Sequence, residues 1–168
     1  FQPQGSEYNC FTAGSSTAGR SQTLQDIHAS EVAYWKDGEK TMGALLETVP
    51  LGFGSVVVES TANGNVGYFY DICMDAIHNP YSQWRLHFYA WWDDPTYQLP
   101  LAPNEVIVYT DEEQALAHDH HLIPQQIKWR RVKQSDESLL FDQEYPESIE
   151  GAFLSTMDNL FGNIDHLY

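Results

Sequence analysis

The stretch from Thr23 to Ser60 sets the tightest limit on the fold, because it holds two β-prone runs separated by a connection of helix length. The first run, Thr23-Leu-Gln-Asp-Ile-His-Ala-Ser30, leads into Glu31-Val-Ala-Tyr-Trp35. The second, Ser55-Val-Val-Val-Glu59, stops at Ser60-Thr-Ala-Asn-Gly64. Between them lies a turn at Lys36-Asp-Gly-Glu39, then a helical repeat of Met42, Leu45, Leu46 and Val49 that ends at Pro50 and Gly52. A connection of that length cannot be a tight hairpin, and a helical crossover places the strands parallel. Their C-terminal ends then share one edge of the sheet, the edge at which open α/β sheets bind ligands.

The alternation of strand and helix continues. Asn65-Val-Gly67 precedes a helix with Phe69, Ile72, Cys73, Ala76 and Ile77 on one face, stopped by Asn79-Pro80. Trp84 to Ala90 alternates, with Trp84, Leu86 and Phe88 opposite Arg85, His87 and Tyr89. The expectation is a parallel sheet of Thr23–Ser30, Ser55–Glu59 and Trp84–Phe88 with flanking helices. Gln25, Asp26 and His28 are polar for a central parallel strand, so one face meets a polar site or the strand lies near a sheet edge. Ahead of it, residues 1–7 are polar, Tyr8 to Ala13 alternates weakly as a short strand, and Gly14 to Arg20 is a loop of small residues.

Beyond the proline-rich stretch Pro95 to Pro103 the pattern becomes helical, over Asp111–His121, Pro124–Gln134 and Ser138–Tyr145. Thr110 and Glu113 form a capping box, and Pro124 suits a first helical turn. The division read from this pattern is a β/α part over residues 1–94, a small helical subdomain over 95–151 and a linker over 152–168.

Twenty-four acidic residues against eight basic ones give a formal charge of −16. Such a surface repels nucleic acid, whose unspecific binding rests on Lys and Arg at phosphates. Half of the basic residues fall in Lys128-Trp-Arg-Arg-Val-Lys133, an interleaving of basic and aromatic residues that suggests nucleic acid. On a helix, however, Trp129 and Val132 take one face as core and the charges fan over the solvent side. His118 and His121 lie one helical turn apart without a third spaced ligand, too few for a metal site. Cys10 and Cys73 lack metal spacing and read as buried, reduced thiols. No apolar run approaches eighteen residues, so no membrane span is expected.

Six ordered segments (G-R-S-Q-T-L-Q-D, H-A-S-E-V-A-Y-W, E-S-T-A-N-G, W-W-D-D-P-T-Y, Q-I-K-W-R-R and F-D-Q-E-Y-P followed by A-F) resemble the large terminase subunit of tailed bacteriophages and prophages over nearly the whole chain. That family packages DNA with an ATP-driven motor, a P-loop ATPase domain followed by a nuclease domain. The resemblance implies part of a P-loop NTPase-type parallel sheet, its Walker B and coupling half, followed by a helical lid and a linker toward a nuclease. It implies that Glu31 is the Walker B general base and that Ser60, Thr61, Ala62 and Asn63 are the coupling motif. Ser30, where the wider P-loop class has Asp, would reach Mg²⁺ through water, and Arg20 would hold the polar loop or reach phosphates. The implied cofactors are ATP and Mg²⁺. The implied partners are double-stranded DNA, the portal protein, the small terminase subunit and further large-subunit copies, in the cytoplasm of a bacterial host.

No G-x-x-x-x-G-K-[S/T] occurs in the 168 residues. The chain alone is therefore expected to bind no nucleotide, to hydrolyse none and to hold DNA weakly. Each site residue also has an ordinary reading: a solvated or capping Glu31, a salt-bridged Arg20, and Ser60 or Thr61 capping a strand-to-helix loop. The alternative for the whole is an acidic, non-catalytic interaction domain or DNA mimic.

Overall fold

The computed structural model describes residues 5–13, 23–137 and 140–154 of a mixed α/β protein. The chain divides into two compact units, Phe1–Thr61 with Val66–Trp84, and Ala62–Asn65 with Arg85–Tyr168.

The first unit contains β1 (Asp26–Ser30), α1 (Gly38–Leu46), β2 (Ser55–Glu59) and α2 (Tyr68–His78). β1 and β2 pair in parallel, in register from Asp26 opposite Ser55 to Ser30 opposite Glu59. Ile27, Ala29, Val56 and Val58 face a core shared with Val32, Met42, Leu45, Phe69 and Trp84. The opposite face carries Asp26, His28, Ser30, Ser55, Val57 and Glu59, all exposed. There the Ser55 hydroxyl donates to Asp26 Oδ1 at 2.6 Å, and His28 Nε2 lies 3.5 Å from Glu59 Oε1. The polar residues of β1 thus form one exposed face of a half-buried parallel pair.

Two local features fix this pair. Gly54 precedes β2 where a Cβ would come within 2.5 Å of the Gln25 carbonyl oxygen and overlap Val49 Cγ1. The missing side chain lets the Ser55 N–H reach Gln25 O at 2.9 Å and start the register. α1 ends at Leu46, short of the expected Val49, because the Thr48 N–H and hydroxyl both take the Leu45 carbonyl, at 3.0 and 2.6 Å.

The sheet of the described residues has two strands, so the expected third strand, Trp84–Phe88, is corrected. Trp84 and Leu86 are half-buried and Arg85 and His87 exposed, as the alternation requires, but Phe88 is exposed too and no ladder forms. Alternation decides which side chains turn inward, whereas a strand also needs a neighbour about 4.8 Å away. Glu105 to Thr110 behaves in the same way, with Val106 and Val108 80% and 79% exposed and Ile107 and Tyr109 packed inward. Tyr8 to Ala13 forms no strand either.

The second unit is helical: α3 (Asp111–His120), α4 (Pro124–Asp136), α5 (Phe141–Glu144) and helical residues 149–154. The expected helix from Ser138 begins outside the described residues, at 138–139. Thr110 and Glu113 make the expected capping box, with Thr110 Oγ1 accepting from the Glu113 N–H at 3.2 Å and the Thr110 N–H donating to Glu113 Oε2 at 2.8 Å. The core is aromatic: Trp129 stacks on Trp91 at 5.1 Å and on Tyr97 at 4.6 Å, and Tyr145 meets it edge-on. Trp91 and Trp92 thus belong to the core of the helical unit.

The basic run departs from its expected pattern. Trp129 is buried, but Val132 is exposed and Arg130 buried in its place. Arg130 donates from Nε and Nη2 to Glu147 at 2.6 and 3.0 Å and from Nη2 to Glu112 at 2.8 Å. Arg131 forks onto Glu113 with two bonds of 2.6 Å, Lys128 pairs with Glu105 at 2.8 Å, and Lys133 pairs with Glu137 at 2.9 Å. The hydrogen bonds from Arg131 hold the Glu113 carboxyl down at about 2. Hydropathy alone predicted Val132 inside, but Glu112 and Glu147 supply the carboxylates that make a buried guanidinium tolerable.

Cys73 is buried, and burial pushes its thiol up to about 11, so it is inert. Cys10 is exposed, contrary to expectation. Among the described residues no helix is long and apolar enough to cross a membrane.

Candidate functional site

The parallel register places Ser30 opposite Glu59, so the next residues of each strand, Glu31 and Ser60, leave the sheet side by side. Glu31 is the turning point. Its backbone is left-handed, φ 58° and ψ 38°, a conformation that costs a non-glycine residue about 1–2 kcal/mol. The turn lets the chain reverse from β1 into a 3₁₀ turn over Val32–Tyr34, with Val32 locked into the core.

Several bonds hold this turn. The Tyr34 N–H donates to the Glu31 carbonyl at 3.0 Å and the Trp35 N–H to Val32 O at 3.1 Å. The Trp35 indole reaches back to the Ser30 carbonyl at 3.0 Å while its rings pack on the core. From β2, the Ser60 hydroxyl accepts the Ala33 N–H at 3.2 Å and donates to Glu31 Oε2 at 3.5 Å, a long bond. Tyr34 OH and Thr61 Oγ1 lie 3.1 Å apart. A carboxylate at the end of a strand is thus presented on a strained turn, with a hydroxyl from the neighbouring strand 3.5 Å away. Such an arrangement can orient a water and accept its proton.

Glu31, Ser60 and Thr61, singled out from the sequence, meet here. Ser30 contributes its carbonyl, while its exposed side chain has no hydrogen-bond partner among the described residues. Ala62 is buried and Asn63 exposed, and both belong to the other compact unit. Arg20 lies outside the described residues. Sequence reasoning passed over Tyr34 and Trp35. Their signal was present as two aromatic residues three and four positions after a strand-end acid.

A cleft of about 330 Å³ adjoins the same turn, lined by Trp35, Lys36, Lys40, Gly67, Tyr68 and Phe69 among others, but not by Glu31. Lys36 and Lys40 share it with Asp37 and Glu39, so its charges balance. Burial, with Glu39 nearby, pushes the Tyr68 hydroxyl up.

His120 stacks on Trp92 at 4.1 Å, His118 pairs with Asp119 at 2.9 Å, and among the described residues no three His, Cys, Asp or Glu side chains are grouped for a metal. The donor set beside Glu31, one carboxylate with serine and threonine hydroxyls, fits a Mg²⁺ held through water and by a nucleotide's phosphates, and offers no cage of its own.

No protein family, curated protein or solved structure matches the chain.

Proposed function

We propose that this chain is the Walker B and coupling part of a DNA-packaging ATPase of the large-terminase kind, in which Glu31 activates the water that attacks ATP. One observation carries the reading: Glu31 sits on a left-handed backbone at the C-terminal end of a parallel strand, within reach of the Ser60 hydroxyl from the next strand. Strain of this kind is kept where the surroundings over-determine it, and it concentrates at active sites. The parallel pair and its shared C-terminal edge also suit a P-loop-type sheet, although two strands are common to many α/β folds.

In this reading ATP supplies the phosphoryl group and Mg²⁺ neutralises its charge. Glu31 orients the attacking water and takes its proton. The Ser60 hydroxyl keeps the carboxylate aimed, and it can shift when the γ-phosphate leaves. Thr61 is the last residue before the chain crosses into the second unit, which suits a coupling role. Ser30 would bring a hydroxyl without charge, and so would hold a metal only through water. Double-stranded DNA, a portal, a small subunit and neighbouring copies are the partners such a motor requires, in the cytoplasm of a bacterial host.

A second reading, an acidic interaction domain without catalysis, is favoured by the ion pairs of α4. All four basic residues of Lys128 to Lys133 are engaged by Glu side chains, which leaves the surface strongly acidic. Phosphate release by the gene product that carries this sequence separates the two, measured with and without duplex DNA. The motor predicts ATP turnover that DNA accelerates, with Thr61→Ala keeping part of the turnover and losing DNA translocation. Absence of turnover in the intact gene product would leave the acidic domain.

A further inference from the structure

We infer that Tyr34 is a positioning residue, which clamps the end of β2 to the turn that presents Glu31. Its consequence for turnover rests on the proposed role of Glu31, but the clamp itself is a matter of geometry. Tyr34 touches both strand ends. Its N–H donates to the Glu31 carbonyl at 3.0 Å, and its hydroxyl lies 3.1 Å from Thr61 Oγ1 on the other side. One residue earlier on each strand exit, the Ala33 N–H donates to Ser60 Oγ at 3.2 Å, and Ser60 in turn reaches Glu31 Oε2. The two links join adjacent residues to adjacent residues, 33 to 60 and 34 to 61, so they act as a pair of rungs beyond the last rung of the sheet.

Such rungs have work to do here. The backbone ladder ends at Ser30 and Glu59, and the left-handed Glu31 turns away from it. Without side-chain rungs, nothing in the ladder fixes the spacing between the Glu31 carboxylate and Ser60. The phenol is long enough to span that gap from an exposed turn, and Thr61 offers the hydroxyl that meets it. Loss of the outer rung should loosen the inner one, because Thr61 and Ser60 share a peptide unit. The Glu31 carboxylate then loses its aim while its chemistry stays intact.

Amide hydrogen exchange on the 168-residue chain reads the clamp without any turnover. The Ala33 N–H bonds to Ser60 and not to Tyr34, so its response to Tyr34→Phe measures transmission between the rungs. A hydrogen bond of ordinary net strength predicts that Tyr34→Phe speeds Ala33 exchange about 3–10-fold. Thr61→Val should do the same, the double variant no more than either, and Thr61→Ser should stay near wild type. The Asp71 N–H, which bonds to Gly67 O inside the same unit, should be unchanged and guards against general destabilisation. Unchanged Ala33 exchange in Tyr34→Phe, or additive effects in the double variant, overturns the clamp. In the intact gene product, Tyr34→Phe should lower kcat several-fold with KM for ATP unaltered. An exchange failure counts against Tyr34 alone, whereas full turnover in Glu31→Gln counts against the ATPase reading and leaves the exchange result standing.

Discussion

Glu31 holds a backbone conformation that suits glycine and that a glutamate adopts at a cost. Glu31→Gly should therefore leave the chain as stable as before or raise its stability by up to about 1 kcal/mol in chemical denaturation, whereas glycine in an ordinary strand destabilises by a similar amount. A loss above that size would mean that the carboxylate itself supports the fold. Gly54 is the converse case. Gly54→Ala forces a methyl group against the Gln25 carbonyl and should cost about 1–3 kcal/mol in the same measurement. At this scale the sequence was half legible. Glu31, Ser60 and Thr61 could be found because strand ends are readable from hydropathy and β-branching. The left-handed turn and the Tyr34 contact could not, since a positive φ at glutamate leaves no compositional trace and the contact joins residues 27 apart.

Between elements, helix periodicity and caps were the most reliable guides, because they depend on neighbours in sequence. β1 with β2 was readable for a related reason: the length of the connection dictated its direction. Trp84 to Phe88 failed because pairing depends on what lies alongside, which alternation does not encode. α4 formed where expected, but its buried face was misread, since a buried Arg130 is permitted only by Glu112 and Glu147, 18 and 17 residues away. Arg130→Ala should strand the Glu147 carboxylate and cost about 3–5 kcal/mol. The Trp91 indole also donates to Glu147, at 2.9 Å, so the loss should appear in tryptophan fluorescence as well as in thermal unfolding. The Arg131–Glu113 pair makes stability depend on acid. The Glu113 carboxyl titrates at about 2 when folded, and a free Glu near 4.3 when unfolded, so below that the unfolded chain takes up the proton first. Its contribution is complete above about pH 4.5 and is lost as the pH falls toward about 2. Glu113→Gln should flatten the acid limb of the stability profile over that window.

The whole molecule carries a net charge of −16, and each basic side chain of the run in α4 is paired with a glutamate. Among the described basic residues, Lys36, Lys40 and Arg85 lie outside that run and in no ion pair. Fluorescence anisotropy with labelled duplex DNA at about 150 mM salt should show no binding by the 168-residue chain. Salt-sensitive binding that disappears in a Lys36→Ala, Lys40→Ala variant would move the DNA contact to the first unit. The central claim is that Glu31 is the general base of an ATPase. The most direct measurement is single-turnover hydrolysis by the intact gene product, compared between the wild type and Glu31→Gln. The account predicts that Glu31→Gln slows the chemical step by about a hundredfold to ten-thousandfold while nucleotide affinity changes little. Hydrolysis at the wild-type rate in Glu31→Gln would contradict it.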